Sequence, residues 1–234
     1  MTTVCIHQPD FAPWLGFFDR LRLADIYIVF DDVQFLRRAW HHRDRILAAK
    51  GSQWLTVPVI KKGRYTQTIR DVEIDNGRPW QRRHLRTLQT IYGRRPGFHA
   101  TCAALEGIYA EGHTHLLDLN MAIIRWMLSI FDIDVEVIFS SELFTTSHST
   151  QRLVDLMKSV GGTHYITGSG ARDYLDTELF SKNDIDVLWQ NFTHPVYDQD
   201  RDHFEPMLSS LDALCHGAAP FPAPPGKKEL QIRT

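Results

Sequence analysis

A chain of 234 residues with 43% hydrophobic content can bury a full core, and its length favours one domain or at most two. A net charge of −2 excludes a nucleic-acid binder held by bulk charge, and the three scattered cysteines, Cys5, Cys102 and Cys215, exclude a disulfide framework. They fit a reducing, cytoplasmic setting.

The first predicted element is the apolar strand Val4-Cys5-Ile6, which runs into His7 and Gln8. Pro9, Pro13 and Gly16 shape a turn, and a helix follows with Phe17, Phe18, Leu21 and Leu23 as its apolar residues. Ile26 to Phe30 is an apolar run stopped by Asp31 and Asp32, as in a buried parallel strand. These three elements form a βαβ unit. Gln53 to Ile60 reads as a strand in which Pro58 marks an edge or bulge, Lys61 to Arg64 as a turn, and Ile69 to Ile74 as a half-exposed strand. From Pro79 the chain turns helical, with Trp80, Leu85, Leu88, Ile91 and Tyr92 on one face and Gly93 and Pro96 as the stop. Helices over Ala100–Glu111 and His115–Phe131 complete a helical subregion at 79–131. Arg125 interrupts the most apolar stretch, Leu119 to Phe131, so a buried helix is expected there and no membrane span.

Val135–Ser140 is the next strand, Thr150–Val160 a helix, and His164–Thr167 a strand closed by Gly168-Ser169-Gly170. A helix near Ala171–Leu175 and a strand over Ile185–Gln190 follow. Residues 217–234, rich in Pro and Ala, read as a flexible tail. The alternation predicts one α/β domain over 1–216 with a mainly parallel, Rossmann-like sheet.

Charge is unevenly laid along the chain. Arg37 to Arg95 holds 15 Lys or Arg against 4 Asp or Glu, and the remainder 11 against 24. A basic face suited to a phosphorylated or otherwise anionic ligand is expected. Its densest part is Arg37-Arg38-Ala39-Trp40-His41-His42-Arg43-Asp44-Arg45, where arginine forks can bind phosphate or carboxylate and Trp40 can stack on a ring. Neighbouring histidines diverge, so His41-His42 is not read as a metal site.

His7 and Asp32 close adjacent inferred strands on one sheet edge, where α/β proteins bind ligands. A carboxylate that fixes the tautomer of a histidine supports general-base chemistry. Ser140 and Ser141 close another strand, Gly168-Ser169 offers backbone amides to an anion, and His194 follows the last strand. Cys5 lies within a strand and reads as a buried structural thiol.

The series His7-Gln8-Pro9, Pro13-Trp14-Leu15-Gly16-Phe17-Phe18, Asp31-Asp32-Val33-Gln34-Phe35, Arg43, Trp54-Leu55-Thr56-Val57-Pro58, Ser140-Ser141, Tyr165-Ile166-Thr167-Gly168, Tyr174-Leu175-Asp176 and His194-Pro195-Val196-Tyr197 resembles the WbqC-like family over roughly Val4 to His216. One position departs: His42 precedes Arg43 where a Trp-x-Asn-Arg pattern would place asparagine, while Arg43 itself carries over. The resemblance implies an enzyme of surface-polysaccharide (O-antigen) or secondary-metabolite biosynthesis that transfers an acyl or aminoacyl group to an amine such as an amino sugar. On that reading His7 deprotonates the acceptor and Asp32 orients His7. Gln8, Trp14, Gln34, Arg38, Trp40, Arg43, Ser140, Ser141, Gly168, Ser169 and His194 bind substrate. A carrier-protein thioester is the expected donor, bringing phosphopantetheine, and no cofactor of the enzyme's own is required. The fold-level analogy to nucleotidyltransferases gives an alternative, a ligase using ATP and magnesium. A third is a non-catalytic subunit that binds a sugar nucleotide or carrier.

Overall fold

The structure, a computed structural model, describes residues 1–218 and 221. Strand β1 (Thr3–His7), helix α1 (Leu15–Leu21) and strand β2 (Ile26–Val29) form the expected parallel βαβ unit. A hairpin of β3 (Arg43–Leu47) and β4 (Ser52–Thr56) follows, then α2 (Trp80–Tyr92), α3 (Phe98–Ala110) and α4 (Leu116–Ile130). The chain returns to the sheet with β5 (Glu136–Phe139), α5 (Ser149–Ser159), β6 (His164–Thr167), α6 (Thr177–Ser181) and β7 (Asp186–Trp189), and α7 (Ser210–Cys215) comes last.

The main sheet has five parallel strands in the order β5-β2-β1-β6-β7. Numbered along the chain within the sheet this is 3-2-1-4-5, the Rossmann-like winding, with its topological switch point between β1 and β6. Strand alternation divides the core. Val4, Ile6, Ile26 and Ile28 pack with Val154, Met157 and Phe180 on one face. Cys5, Tyr27 and Val29 pack with Phe17, Phe18 and the apolar side of α4 on the other. All five strands are parallel, so their carboxyl ends gather His7, Asp31, Ser140, Gly168 and Gln190 along one edge.

Three sequence expectations are corrected. Ile69–Ile74 is a short 3₁₀ turn at Ile69–Asp71 followed by isolated bridges, Val59 to Ile74 and Glu73 to His115; a half-alternating pattern found no neighbouring strand to pair with. The expected helix at Ala171–Leu175 is a 3₁₀ turn at Ser169–Ala171, and the α-helix starts at Thr177, where the Asp176 side chain caps the Leu179 amide at 3.1 Å. The strand expected over Gln53–Ile60 stops at Thr56, before Pro58. Of the proposed flexible tail, Gly217 and Ala218 close α7 and Phe221 packs on Phe131; 219–220 and 222–234 lie outside the described residues. Among the described residues no helix is long and apolar enough to cross a membrane.

Candidate active site

The loop that leaves β1 is held from several directions. Asn120, fully buried on α4, donates to the Pro9 and His41 carbonyls, both at 2.7 Å. The Phe11 amide donates to the Trp40 carbonyl at 3.1 Å, and Ser209 Oγ to the Ala12 carbonyl at 2.6 Å. Gln8 Oε1 accepts from His41 Nε2 at 3.0 Å. Such bracing fixes the side chains the loop carries, as a preorganised site requires. Gln8 therefore ties the loop to the 40–42 turn. Trp14 folds its indole over Gly16, where a β-carbon would collide with the ring; only glycine fits. The indole also meets Phe192 edge-on at 5.3 Å, so Trp14 is engaged in packing.

At the end of β1 the His7 ring stands edge-on to Phe17. Its Nδ1 lies 2.8 Å from the Gln8 carbonyl, which can only accept, so Nδ1 carries the proton and Nε2 presents a bare lone pair. Burial, then the nearby Arg20 charge, pushes the imidazole down to about 3, so the ring is neutral near pH 7. Its partner is Asp10, whose carboxylate oxygen lies 4.0 Å from Nδ1. Burial raises Asp10 to about 7 against the opposing pull of Arg20. Its carboxyl accepts no hydrogen bond from the described residues, and burial also raises the neighbouring Asp44 well above the usual carboxylate range. A carboxyl that exchanges its proton near neutrality beside an uncharged imidazole is an acid–base pair by composition and position.

Asp32 closes β2 on the same edge, yet it is occupied elsewhere. Its carboxylate accepts from Ser140 Oγ at 2.6 Å and pairs with Arg152, which also lies over the Phe30 ring. The expected Asp32–His7 hydrogen bond is absent among the described residues, because Arg152 and Ser140 take both Asp32 oxygens. Asp31 is buried and accepts from Ser140 Oγ, the Ser141 amide and Ser141 Oγ at 2.8–3.1 Å. Ser140 and Ser141 thus lock the end of β5 to that of β2, with no hydroxyl proton left to offer a substrate.

The cationic segment is likewise engaged. Its residues Arg43–Leu47 form β3, which was hidden by charge: Asp44 points inward, while Arg43 and Arg45 lie over Trp54 and Trp40 at 4.1 and 5.7 Å. Arg43 also donates to the Arg38 carbonyl at 2.7 Å. Arg38 and Trp40 are exposed. Gln34 is exposed too and donates to the Tyr65 carbonyl, bridging to Thr68 on a separate loop. His41 and His42 are buried and held neutral by burial, at about 4 and 3. Among the described residues no cluster of His, Cys, Asp or Glu could hold a metal ion. His194 sits among Phe192, Tyr197 and Phe204, bonded to the Pro195 carbonyl. Gly168 and Ser169 do reach the β1 side, across the switch point from His7. Cys5 is buried, and its thiol is raised to about 11 by burial, which leaves it inert as a nucleophile.

Sequence reasoning missed Asp10, Arg20, Tyr27 and Asn120. Asp10 stood within the opening motif, but nothing local marked its carboxyl as lacking a hydrogen-bond partner. Open concavities beside Tyr197 and beside Arg86 share no residue with this acid–base pair.

A model of the WbqC-like protein family matches residues 8–219. A relative from Mycobacterium tuberculosis, described as uncharacterized protein Rv1507c, is 35% identical over 224 residues, covering 95% of this chain and 96% of the relative. No solved structure matches the chain.

Proposed function

The chain belongs to the WbqC-like protein family, and within it we propose an amide-forming transferase that moves an acyl or aminoacyl group from a carrier-protein thioester to an amine such as that of an amino sugar, in surface-polysaccharide or natural-product biosynthesis. One observation carries the reading: at the sheet edge an imidazole with an unprotonated Nε2 has, 4.0 Å from its Nδ1, a carboxyl that burial raises to about 7. The acceptor amine attacks the thioester carbonyl; the C–N bond forms, the C–S bond breaks, and the thiolate leaves. The proton shed by the amine passes to the Asp10 carboxylate and then to the departing sulfur. A group with its pKa near the working pH suits both transfers. His7 Nε2 accepts a hydrogen bond from the amine and aims its lone pair. The surplus of basic residues between Arg37 and Arg95 supports docking of an acidic carrier.

The 3-2-1-4-5 strand order favours a second reading, an ATP-dependent ligase, because nucleotides bind at such switch points. Mass spectrometry of amide product from loaded carriers and amino sugars separates the two. Formation without ATP supports the transferase; an absolute requirement for ATP and magnesium, with release of AMP, supports the ligase. His7→Ala should lower turnover at least about tenfold while folded, the worth of one aiming hydrogen bond, and a smaller loss would remove it from the reaction.

A further inference from the structure

We propose that Arg20 anchors a phosphate-binding subsite in the crevice between β1 and β6, holding a phosphate of the substrate beside His7 and Asp10. The inference deepens the transferase reading and rests on it for the identity of the molecule that carries the phosphate. Arg20 belongs to α1, and its side chain reaches the switch point: a β-carbon on Gly168 would lie 3.0 Å from Arg20 Nη1. The residue as a whole is 9% exposed. None of its nitrogens has a hydrogen-bond acceptor or ion-pair partner among the described residues, and Nε is fully enclosed. The neighbouring Arg22 differs, its Nε bonded to Asp19 at 2.8 Å.

A buried arginine with no hydrogen-bond acceptor is costly unless a ligand supplies one, and the nearby Asp10 carboxyl, raised to about 7, offers only a partly ionised counter-charge. Near it the Tyr27 hydroxyl is also buried with no partner among the described residues. Two unmet donors in one polar cluster call for acceptor oxygens. The fork of an arginine matches phosphate. Gly168 leaves the backbone opposite Nη1 uncovered, and the turn Ser169–Ala171 that follows exposes Ser169 on the same loop. Phosphates in Rossmann-like sheets lie beyond this crevice.

Both a nucleotide-linked sugar and a phosphopantetheine arm carry such a phosphate, and binding can be read without turnover. Calorimetry with pyrophosphate, uridine diphosphate and 4′-phosphopantetheine should show binding to the wild-type chain. The tighter of the last two identifies the source. Arg20→Gln should weaken pyrophosphate binding about ten- to hundredfold, the worth of charge-assisted hydrogen bonds. It should fold at least as stably as the wild type, because an unpaired buried charge has been removed. Gly168→Ala should also weaken binding by crowding Nη1, and it carries the test if Arg20→Gln does not fold. Asp10→Asn, which abolishes the proposed proton transfer, should retain pyrophosphate. Failure of the amide chemistry therefore leaves these readouts intact. Absence of pyrophosphate binding to the wild type, tighter binding of succinate than pyrophosphate, or equal pyrophosphate affinity in wild type and Arg20→Gln would overturn the subsite.

Discussion

Two carboxylates, Asp212 buried and Asp10 half-buried, sit at opposite extremes of hydrogen bonding in this chain. Asp212 on α7 accepts from Tyr92 and Tyr197 hydroxyls and Gln199 Nε2 at 2.6–2.9 Å, with His216 alongside at 3.7 Å. Tyr92 in turn accepts from the Leu47 amide, so one carboxylate joins α2, β3, the 197–199 segment and α7. Among the described residues Asp10 has no hydrogen bond, and around it lie the His7 ring, Arg20 with no hydrogen-bond acceptor and the unpartnered Tyr27 hydroxyl. A closed network spends its polar groups on the fold. An open one keeps them for something that arrives.

Substitution tests that contrast directly. Asp212→Ala strands three donors in the interior, each of which costs ~1–3 kcal/mol when unmet. Urea unfolding should show a loss of about 3–5 kcal/mol, enough to consume a large share of a domain's stability. Asp10→Asn should leave the fold at least as stable near neutral pH, since it removes a carboxyl the fold keeps from ionising, while turnover falls ~10²–10⁴. If Asp10→Asn destabilises as much as Asp212→Ala, the two carboxylates play the same structural part and the comparison collapses.

How much of this was readable beforehand follows from range. The strands β1, β2, β5, β6 and β7 and the helices α2 to α5 announce themselves through local periodicity. The hairpin strand β3 does not, because its inward residue Asp44 is charged and its outward Arg43 and Arg45 lie on tryptophans, inverting the usual pattern. His7 was visible as the polar end of an apolar strand. Arg20 was not: in the sequence it is one of two arginines, with Arg22, around the end of α1. Only the non-local pairing of β1 with β6 brings Gly168 against it and separates it from Arg22. Asp32 looked free for the same reason, since Arg152 lies 120 residues away in sequence.

Acid should expose the buried histidines. His7, His41, His42 and His84 are pushed down by burial to about 3, 4, 3 and 4. Below about pH 6.5 the unfolded chain binds protons at these residues that the folded chain refuses, so stability falls as pH drops toward 4. Asp10, raised to about 7, acts oppositely: the folded chain keeps a proton the unfolded chain has lost, a contribution present below about pH 4 and gone as pH rises through 7. His84 is the closed counterpart of His7, with Nε2 donating to the Thr56 carbonyl at 2.9 Å and Nδ1 accepting from the Tyr109 hydroxyl at 3.1 Å. Glutamine can keep both bonds. His84→Gln should flatten the pH dependence of the unfolding free energy by ~1.4 kcal/mol per pH unit between about 4 and 6.5, and Asp10→Asn should steepen it. A slope indifferent to His84→Gln would place its titration outside the folding equilibrium.

The smallest expected effect belongs to Arg43. From the sequence, its place in the densest basic segment and in the family pattern predicts a substrate contact, with a rise in KM on truncation. Its geometry assigns its bonds differently: the guanidinium lies 4.1 Å from the Trp54 ring centre and donates to the Arg38 carbonyl at 2.7 Å. Trp54 meets Trp40 at 5.2 Å, so Arg43, Trp54, Trp40 and Arg45 form a ladder along the hairpin. A cation over an exposed ring is worth ~0.5–1 kcal/mol, and a hydrogen bond from a charged donor adds a comparable amount after exchange with water. Arg43→Ala should therefore cost about 1 kcal/mol in urea unfolding and leave KM within about twofold. Arg38→Ala, which keeps the carbonyl that Arg43 uses, should cost less still. A tenfold rise in KM for Arg43→Ala at unchanged stability, shrinking with added salt, would move the hairpin from the closed side of the comparison to the open one and extend the site from β1 across the 40–42 turn.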